Sequence, residues 1–218
     1  MSPQLTFPFE SRANFAREDF IVAPANGEAV AFVDAWPDWP VAAVALHGPS
    51  GSGKSHLAAA WRAGAQIVSA AALSGSALAC LDAARPIAIE DVDSSRADPA
   101  RDAAIFSLLE RATRDAPILL TGREAPAAWP TALPDLASRF SALLAFPLWA
   151  PNDDLLAALA KKLFADRQLT VVDAVIQQMV RRLERSPAAI RNFVAEADAK
   201  ALAEKRPITT ALIQSLIE

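Results

Sequence analysis

The sequence predicts an α/β fold: a parallel five-stranded sheet covered by helices, followed by a small all-helical lid. Three observations predict it. Short apolar runs alternate with amphipathic stretches up to about residue 150. One of these runs ends in a glycine-rich turn. Beyond Pro151 apolar residues recur only at helical spacing. Alternation of strand and helix points to a parallel sheet with both faces covered.

The elements follow in order. Residues 1–14 carry Pro3 and Pro8 without a sustained period and read as a tail. A helix is expected over Gly27 to Ala35, ending before Pro37. Val41 to Leu46 is a continuous apolar run, the pattern of a strand buried on both faces. A helix from Ser55 to Arg62 follows. Gln66 to Val68 is a weak strand, whereas Pro86 to Ile89 and Pro117 to Leu120 are stronger ones, and Leu143 to Leu148 is the fifth. The stretch Ala100 to Thr113 places Ile105, Leu108, Leu109 and Ala112 on one helical face. In the lid, Leu155, Leu156, Leu159 and Leu163 mark one helix. Val175, Ile176, Met179, Val180 and Leu183 mark a second, with Asp173 as its expected N-cap. Ser186-Pro187 starts a third, carrying Ile190, Phe193, Val194 and Ala197, and Leu212 to Ile217 form a short last helix. The expected organisation is a tail over 1–14, an α/β nucleotide-binding core over 15–150 and a helical lid over 151–218.

Composition narrows the function classes. The 218 residues are 53% hydrophobic, enough for a substantial core, and the net charge is −4. An acidic chain lacks the broad basic face that grips nucleic acid. The single cysteine, Cys80, rules out a disulfide framework and predicts a cytoplasmic protein. Cys80 itself reads as a buried apolar residue. No signal peptide is seen, and no apolar run reaches the roughly 18–20 residues that span a bilayer. The five tryptophans are not interleaved with basic residues, so they form no stacking platform for single strands. His47 and His56 flank the glycine-rich turn without metal-ligand company and read as packing or hydrogen-bonding groups.

The chain has seven glycines, and three fall in one window, Gly48-Pro49-Ser50-Gly51-Ser52-Gly53-Lys54-Ser55. This is the full G-x-x-x-x-G-K-[ST] pattern of a P-loop, with a strand before it and a helix after it. Glycines let successive backbone N–H groups turn toward one anion. The helix that begins there adds its positive dipole end. Lys54 is positioned to reach the outer phosphates, and the Ser55 hydroxyl to ligate Mg²⁺. An acidic cluster stands at the end of another buried strand, Ile87-Ala88-Ile89-Glu90-Asp91-Val92-Asp93. Acids there can hold the Mg²⁺ shell and orient a water. Glu90 and Asp91 are the candidate metal-side residues, and Asp91 is also the candidate for orienting water.

In order, the P-loop with His56-Leu57, the acidic strand end, Leu120-Thr121-Gly122-Arg123, Asp135-Leu136-Ala137-Ser138-Arg139-Phe140 and an arginine near the start of a lid helix make a familiar set. This set resembles the AAA+ module of the bacterial replication initiator DnaA, and more closely its short Hda-type homologues, which inactivate the initiator. The similarity covers about residues 12–218. The resemblance implies an AAA+ P-loop core binding ADP or ATP with Mg²⁺, and ADP is the nucleotide expected. It places Phe20-Ile21-Val22 in the segment that lines the adenine pocket, with Ile21 and Val22 as nucleotide-binding residues, and His56 in the nucleotide site. It makes Arg139 an arginine finger that acts on a neighbour's nucleotide, an effect that reaches about 10³–10⁵ in rate. Arg191 falls at the position that touches a β- or γ-phosphate from the lid.

Two features favour the Hda type. The chain reaches Glu218 just after the lid, so no DNA-reading domain is expected, and with it no sequence-specific DNA binding. The tail reads Gln4-Leu5-Thr6-Phe7-Pro8-Phe9 and looks like the peptide with which such proteins dock on the β sliding clamp. Gln4 would meet polar groups at a pocket rim, while Leu5, Phe7 and Phe9 fill an apolar groove. Two departures touch the hydrolytic machinery. Glu90-Asp91 stands where the family usually has two aspartates or an aspartate and a polar residue, and Arg123 where it usually has an acid. They predict weak or absent turnover with nucleotide binding retained. The expected function is a nucleotide-bound regulator that docks on the DNA-loaded clamp and promotes hydrolysis of ATP on DnaA, repressing re-initiation. A homo-oligomer is compatible with this. Two other readings stay open: a helicase-loader-type ATPase stimulated by DNA, and an adaptor that nucleotide merely stabilises.

Overall fold

The computed structural model describes residues 17, 20–61, 65–73, 75–82, 84–94, 96–149, 151–169, 171–204 and 208–217. The clamp-peptide residues Gln4, Leu5, Phe7 and Phe9 lie outside them. Five strands form one parallel sheet: β1 (Ala43–His47), β2 (Gln66–Ser69), β3 (Ile87–Glu90), β4 (Ile118–Gly122) and β5 (Leu144–Pro147), in the order β2-β3-β4-β1-β5. The core helices are α1 (Gly27–Asp34), α2 (Lys54–Trp61), α3 (Gly75–Ala79), α4 (Pro99–Arg111) and α5 (Pro134–Ala142). The lid adds α6 (Asp153–Ala165), α7 (Asp173–Arg182), α8 (Pro187–Ala203) and α9 (Thr210–Ile217).

Successive strand residues point to opposite faces. Ala45, Ile87, Ile89, Ile118 and Leu120 pack on one face against Ile105 and Leu108 of α4 and Leu136 and Phe140 of α5. Val44, Leu46, Ala88 and Leu119 pack on the other against Val30 and Val33 of α1 and Leu57 and Trp61 of α2. Both faces are dry, which is why these strands read as unbroken apolar runs. The edge strand β2 is less buried, and Ile67 keeps 49% of its surface exposed. A third cluster sits inside the lid, where Leu156, Leu159 and Phe164 of α6 meet Ile176 and Met179 of α7, Ile190 and Phe193 of α8, and Ile213 of α9. Among the described residues no helix is long and apolar enough to cross a membrane.

Several helix starts follow capping chemistry, and one cap expected from the sequence does not form. The Asp98 side chain accepts from Arg101 N at 2.8 Å, and Pro99 occupies the first turn of α4. The Ser186 hydroxyl accepts from Ala189 N at 3.1 Å, with Pro187 at the start of α8. Losing a serine cap costs about 1 kcal/mol. Ser186→Ala is therefore expected to lower the unfolding free energy by about that much in urea titration, with Ser186→Asn close to wild type. The exception is Asp173. It is the first helical residue of α7, and Val172 is the cap position. The Asp173 carboxylate pairs with Lys161 on α6 at 2.8 Å instead of bonding its own backbone. Cys80 also departs from expectation, because it is exposed. Its neighbours Leu78 and Leu81 take the inward positions at the end of α3.

Candidate nucleotide site

The P-loop leaves β1 at His47 and enters α2 at Lys54. At its base Gly48 N donates to Gly122 O at 3.2 Å, and Leu148 N donates to His47 O at 2.7 Å. These bonds tie the loop to the ends of β4 and β5. Gly48 has φ +149°, and a side chain there would overlap the Leu148 carbonyl oxygen. Gly53 has φ +99°, and a Cβ would stand 3.0 Å from the Phe20 ring. Only glycine meets both demands.

The loop opens into a cleft of about 380 Å³ between the core and α6 and α8. Ser50, Gly51, Ser52, Gly53, Lys54, Ser55 and His56 line it, joined by Asp91 from the end of β3 and Arg191 from α8. Ile21 lines it as well. Val22 does not: it is 54% exposed, because the extended chain turns Ile21 inward and its neighbour outward. Gly48 and Pro49 lie behind the cleft. Their carbonyl oxygens accept from Lys54 Nζ at 2.7 and 2.9 Å. Burial holds the Lys54 ammonium below its ordinary pKa, while Asp91, Asp93 and Glu90 act in the opposite sense and Arg123 adds to the lowering. Burial likewise holds His47 below its ordinary value, so it is neutral at pH 7.

His56 is buried. Its ring meets Phe20 edge-on, with centroids 5.2 Å apart, and its Nδ1 lies 3.5 Å from Arg191 Nη2. It thus connects the segment before α1, the P-loop helix and the lid. Asp91 has φ +56° and its N donates to Thr121 Oγ1 at 3.2 Å. Glu90 stands one residue back, at the end of β3 and outside the cleft lining. Three buried oxygens, Ser52 Oγ, Glu90 Oε1 and Asp93 Oδ1, have no hydrogen-bond partner among the described residues. Unsatisfied polar atoms of this kind are costly unless a bound group meets them.

The cleft is amphipathic in a way that suits a nucleotide. Phe20, Ile21, Leu155 and Leu159 contribute apolar lining, and Lys54, Asp91 and Arg123 contribute charged groups. Among the described residues no three acids, histidines or cysteines gather to hold a metal by themselves. A Mg²⁺ ion that arrives with phosphates needs only one or two protein ligands. Ser55 and Asp91, which share the cleft, fit that requirement. Arg139 stands apart. It is on α5, outside the cleft lining, with its guanidinium 4.9 Å from the Phe106 ring centroid and ion-paired to Glu110.

Several lining residues escaped sequence reasoning. Asn26 is buried and clamps the segment before α1: its Oδ1 accepts from Ala23 N at 2.8 Å and its Nδ2 donates to Ile21 O at 3.0 Å. An asparagine just before a helix was the available signal, but it marks a cap as readily as a site. Leu155, Leu159 and Pro187 come from the lid, whose docking onto the core no local pattern reveals.

Neither a protein-family model nor a curated protein matches the sequence. Solved structures do. Domain III of the replication initiation protein DnaA from Thermotoga maritima is 14% identical, with 94% of this chain and 95% of that one covered and a TM-score of 0.71. AMPPCP-bound DnaA from Aquifex aeolicus is 16% identical over 86% of this chain and 66% of that one, with a TM-score of 0.70. The RuvB Holliday junction branch migration motor of Thermotoga maritima is 17% identical over 93% and 70%, with a TM-score of 0.70. The chain shares the fold of these structures, a five-stranded parallel sheet covered by helices and followed by a helical lid.

Proposed function

We propose that this chain is a nucleotide-bound AAA+ regulator of the Hda type, acting on the initiator DnaA. One observation carries the nucleotide part of the reading: the P-loop, the strand-end acid Asp91 and the lid arginine Arg191 all line one cleft, together with apolar side chains. Backbone N–H groups of 50–55 and the start of α2 would cradle the phosphates. Lys54 and Arg191 would neutralise them from core and lid, and Phe20 and Ile21 would face the base. Mg²⁺ would take Ser55 and Asp91. A bound nucleotide would then join the core, 15–150, to the lid, 151–218.

The likeness to DnaA structures supports placing the protein in replication, and the AMPPCP-bound DnaA relative supports a nucleotide ligand. The regulatory role rests on the ordered motifs and on Arg139. That arginine is exposed and lies outside the chain's own cleft, as a residue acting on a partner must. The tail over 4–9 would tether the protein to the β clamp on DNA.

The test is single-turnover hydrolysis of labelled ATP prebound to DnaA. Adding this protein together with clamp loaded on DNA is expected to accelerate hydrolysis, and omitting the clamp to remove most of the effect. No acceleration by folded, nucleotide-loaded protein would refute the regulatory role. DNA-stimulated ATP turnover by the protein alone would favour a loader-type ATPase instead.

A further inference from the structure

Three segments meet at His56. It lies in the first turn of α2, and only 7% of it is exposed. Its ring packs edge-on to Phe20, with centroids 5.2 Å apart. The Phe20 ring also rests on the P-loop, since a Cβ on Gly53 would stand 3.0 Å from it. The helix backbone and Phe20 together fix the imidazole. On its other side Nδ1 stands 3.5 Å from Nη2 of Arg191, which comes from α8 in the lid. A guanidinium has donors and no acceptor. The Nδ1 that meets it therefore carries a lone pair, and the ring proton is on Nε2.

The same lid helix touches the core one turn earlier. A Cβ on Gly51 would stand 3.8 Å from Pro187 Cδ and 3.9 Å from Ser186 Cβ, so the start of α8 sits against the P-loop. Arg191 follows one turn along α8 and reaches the helix that the P-loop feeds. A free arginine side chain has many rotamers to lose when it binds a ligand. An acceptor fixed in the core restricts it beforehand, which lowers the ordering cost of binding. An imidazole does this without adding a negative charge that would repel phosphate.

We infer that His56 is a positioning residue whose Nδ1 sets the Arg191 guanidinium for the phosphates of a bound nucleotide. The inference rests on the nucleotide-binding reading. It changes the role of His56 from a group that meets the ligand to one that acts on it through the lid. Phe20 holds the ring, the ring holds Arg191, and Arg191 meets the phosphates. The contribution of His56 to affinity then exists only while Arg191 is present.

The experiment is a double-mutant cycle in the full chain: wild type, His56→Leu, Arg191→Ala and the two combined. Affinity for Mg²⁺-AMPPCP is read by isothermal titration calorimetry. Circular dichroism checks folding, and His56→Ala takes the place of His56→Leu if that variant does not fold. Each single substitution is expected to lose on the order of tenfold in affinity. Added to Arg191→Ala, His56→Leu is expected to cost less than about twofold, whereas independent sites would multiply. His56→Asn puts an amide oxygen where Nδ1 stood and is expected to stay within about threefold of wild type. If His56→Leu costs the same factor with and without Arg191, or costs nothing, the positioning role is wrong and the nucleotide site stands. The same holds if His56→Asn falls as far as His56→Leu, or if Arg191→Ala binds as wild type does. Folded wild type that binds no nucleotide would remove the site reading and this inference with it.

Discussion

On the proposed regulatory role, Arg139→Ala is expected to abolish acceleration of ATP hydrolysis on DnaA while leaving nucleotide and clamp binding intact. An arginine supplied in trans stabilises charge on the transferring phosphoryl group and is worth about 10³–10⁵ in rate where it acts. Arg139 is on the exposed side of α5, and its guanidinium rests against Phe106 and Glu110 of α4. An exposed ion pair of this kind contributes at most about 1 kcal/mol, so the substitution is not expected to unfold the chain. Arg139→Lys is expected to fail almost as badly, because an ammonium cannot reproduce two parallel bonds to phosphate. Single-turnover rates on DnaA, with clamp binding measured beside them, separate a lost finger from a lost tether. Full stimulation by Arg139→Ala would mean that the catalytic group lies elsewhere.

Asp102→Ala is expected to have the largest effect on stability. Asp102 is fully buried, and its Oδ1 accepts from Arg101 Nε and Nη2 at 2.9 and 2.6 Å. Its Oδ2 accepts from Thr131 Oγ1 at 2.9 Å and from Ala132 N at 2.7 Å. Arg101 Nη2 in turn donates to Pro130 O at 2.6 Å, so the pair ties α4 to the segment leading into α5. Removing the carboxylate leaves a buried guanidinium without its counter-charge, which costs roughly 3–5 kcal/mol. A domain holds only about 5–15 kcal/mol in total, so much of the stability would go. For a chain of this size that is a fall of roughly 10 °C in Tm. Thermal unfolding followed by circular dichroism measures it. A change below about 1 kcal/mol would mean that the guanidinium finds other partners or water once the carboxylate is gone.

Sequence and structure agree where burial is dictated locally. β1, β3 and β4 were legible because both faces of a parallel sheet are covered, which leaves a continuous apolar run. The lid helices were legible from spacing, and Ser186-Pro187 from capping chemistry. The P-loop was legible because its glycines take positive φ, a backbone demand written in the local sequence. What failed depended on tertiary partners. Asp173 looks like a cap until Lys161 on another helix claims its carboxylate. Arg101 and Asp102 were not singled out in the sequence, because their partners come from the distant loop at 130–132. Cys80 was placed inside by residue type, although the short α3 gives the inward positions to leucines. Asn26 reaches the cleft from the segment before α1 and Leu155 and Leu159 from the lid, and nothing in their local sequence says that these converge.

The most direct measurement is the binding of Mg²⁺-ATP and Mg²⁺-ADP to the purified, folded protein by isothermal titration calorimetry. Saturable binding of one nucleotide per chain, accompanied by a rise in Tm, is the expected result. Folded protein that binds neither nucleotide would contradict the assignment of the cleft, and with it the function built on that site.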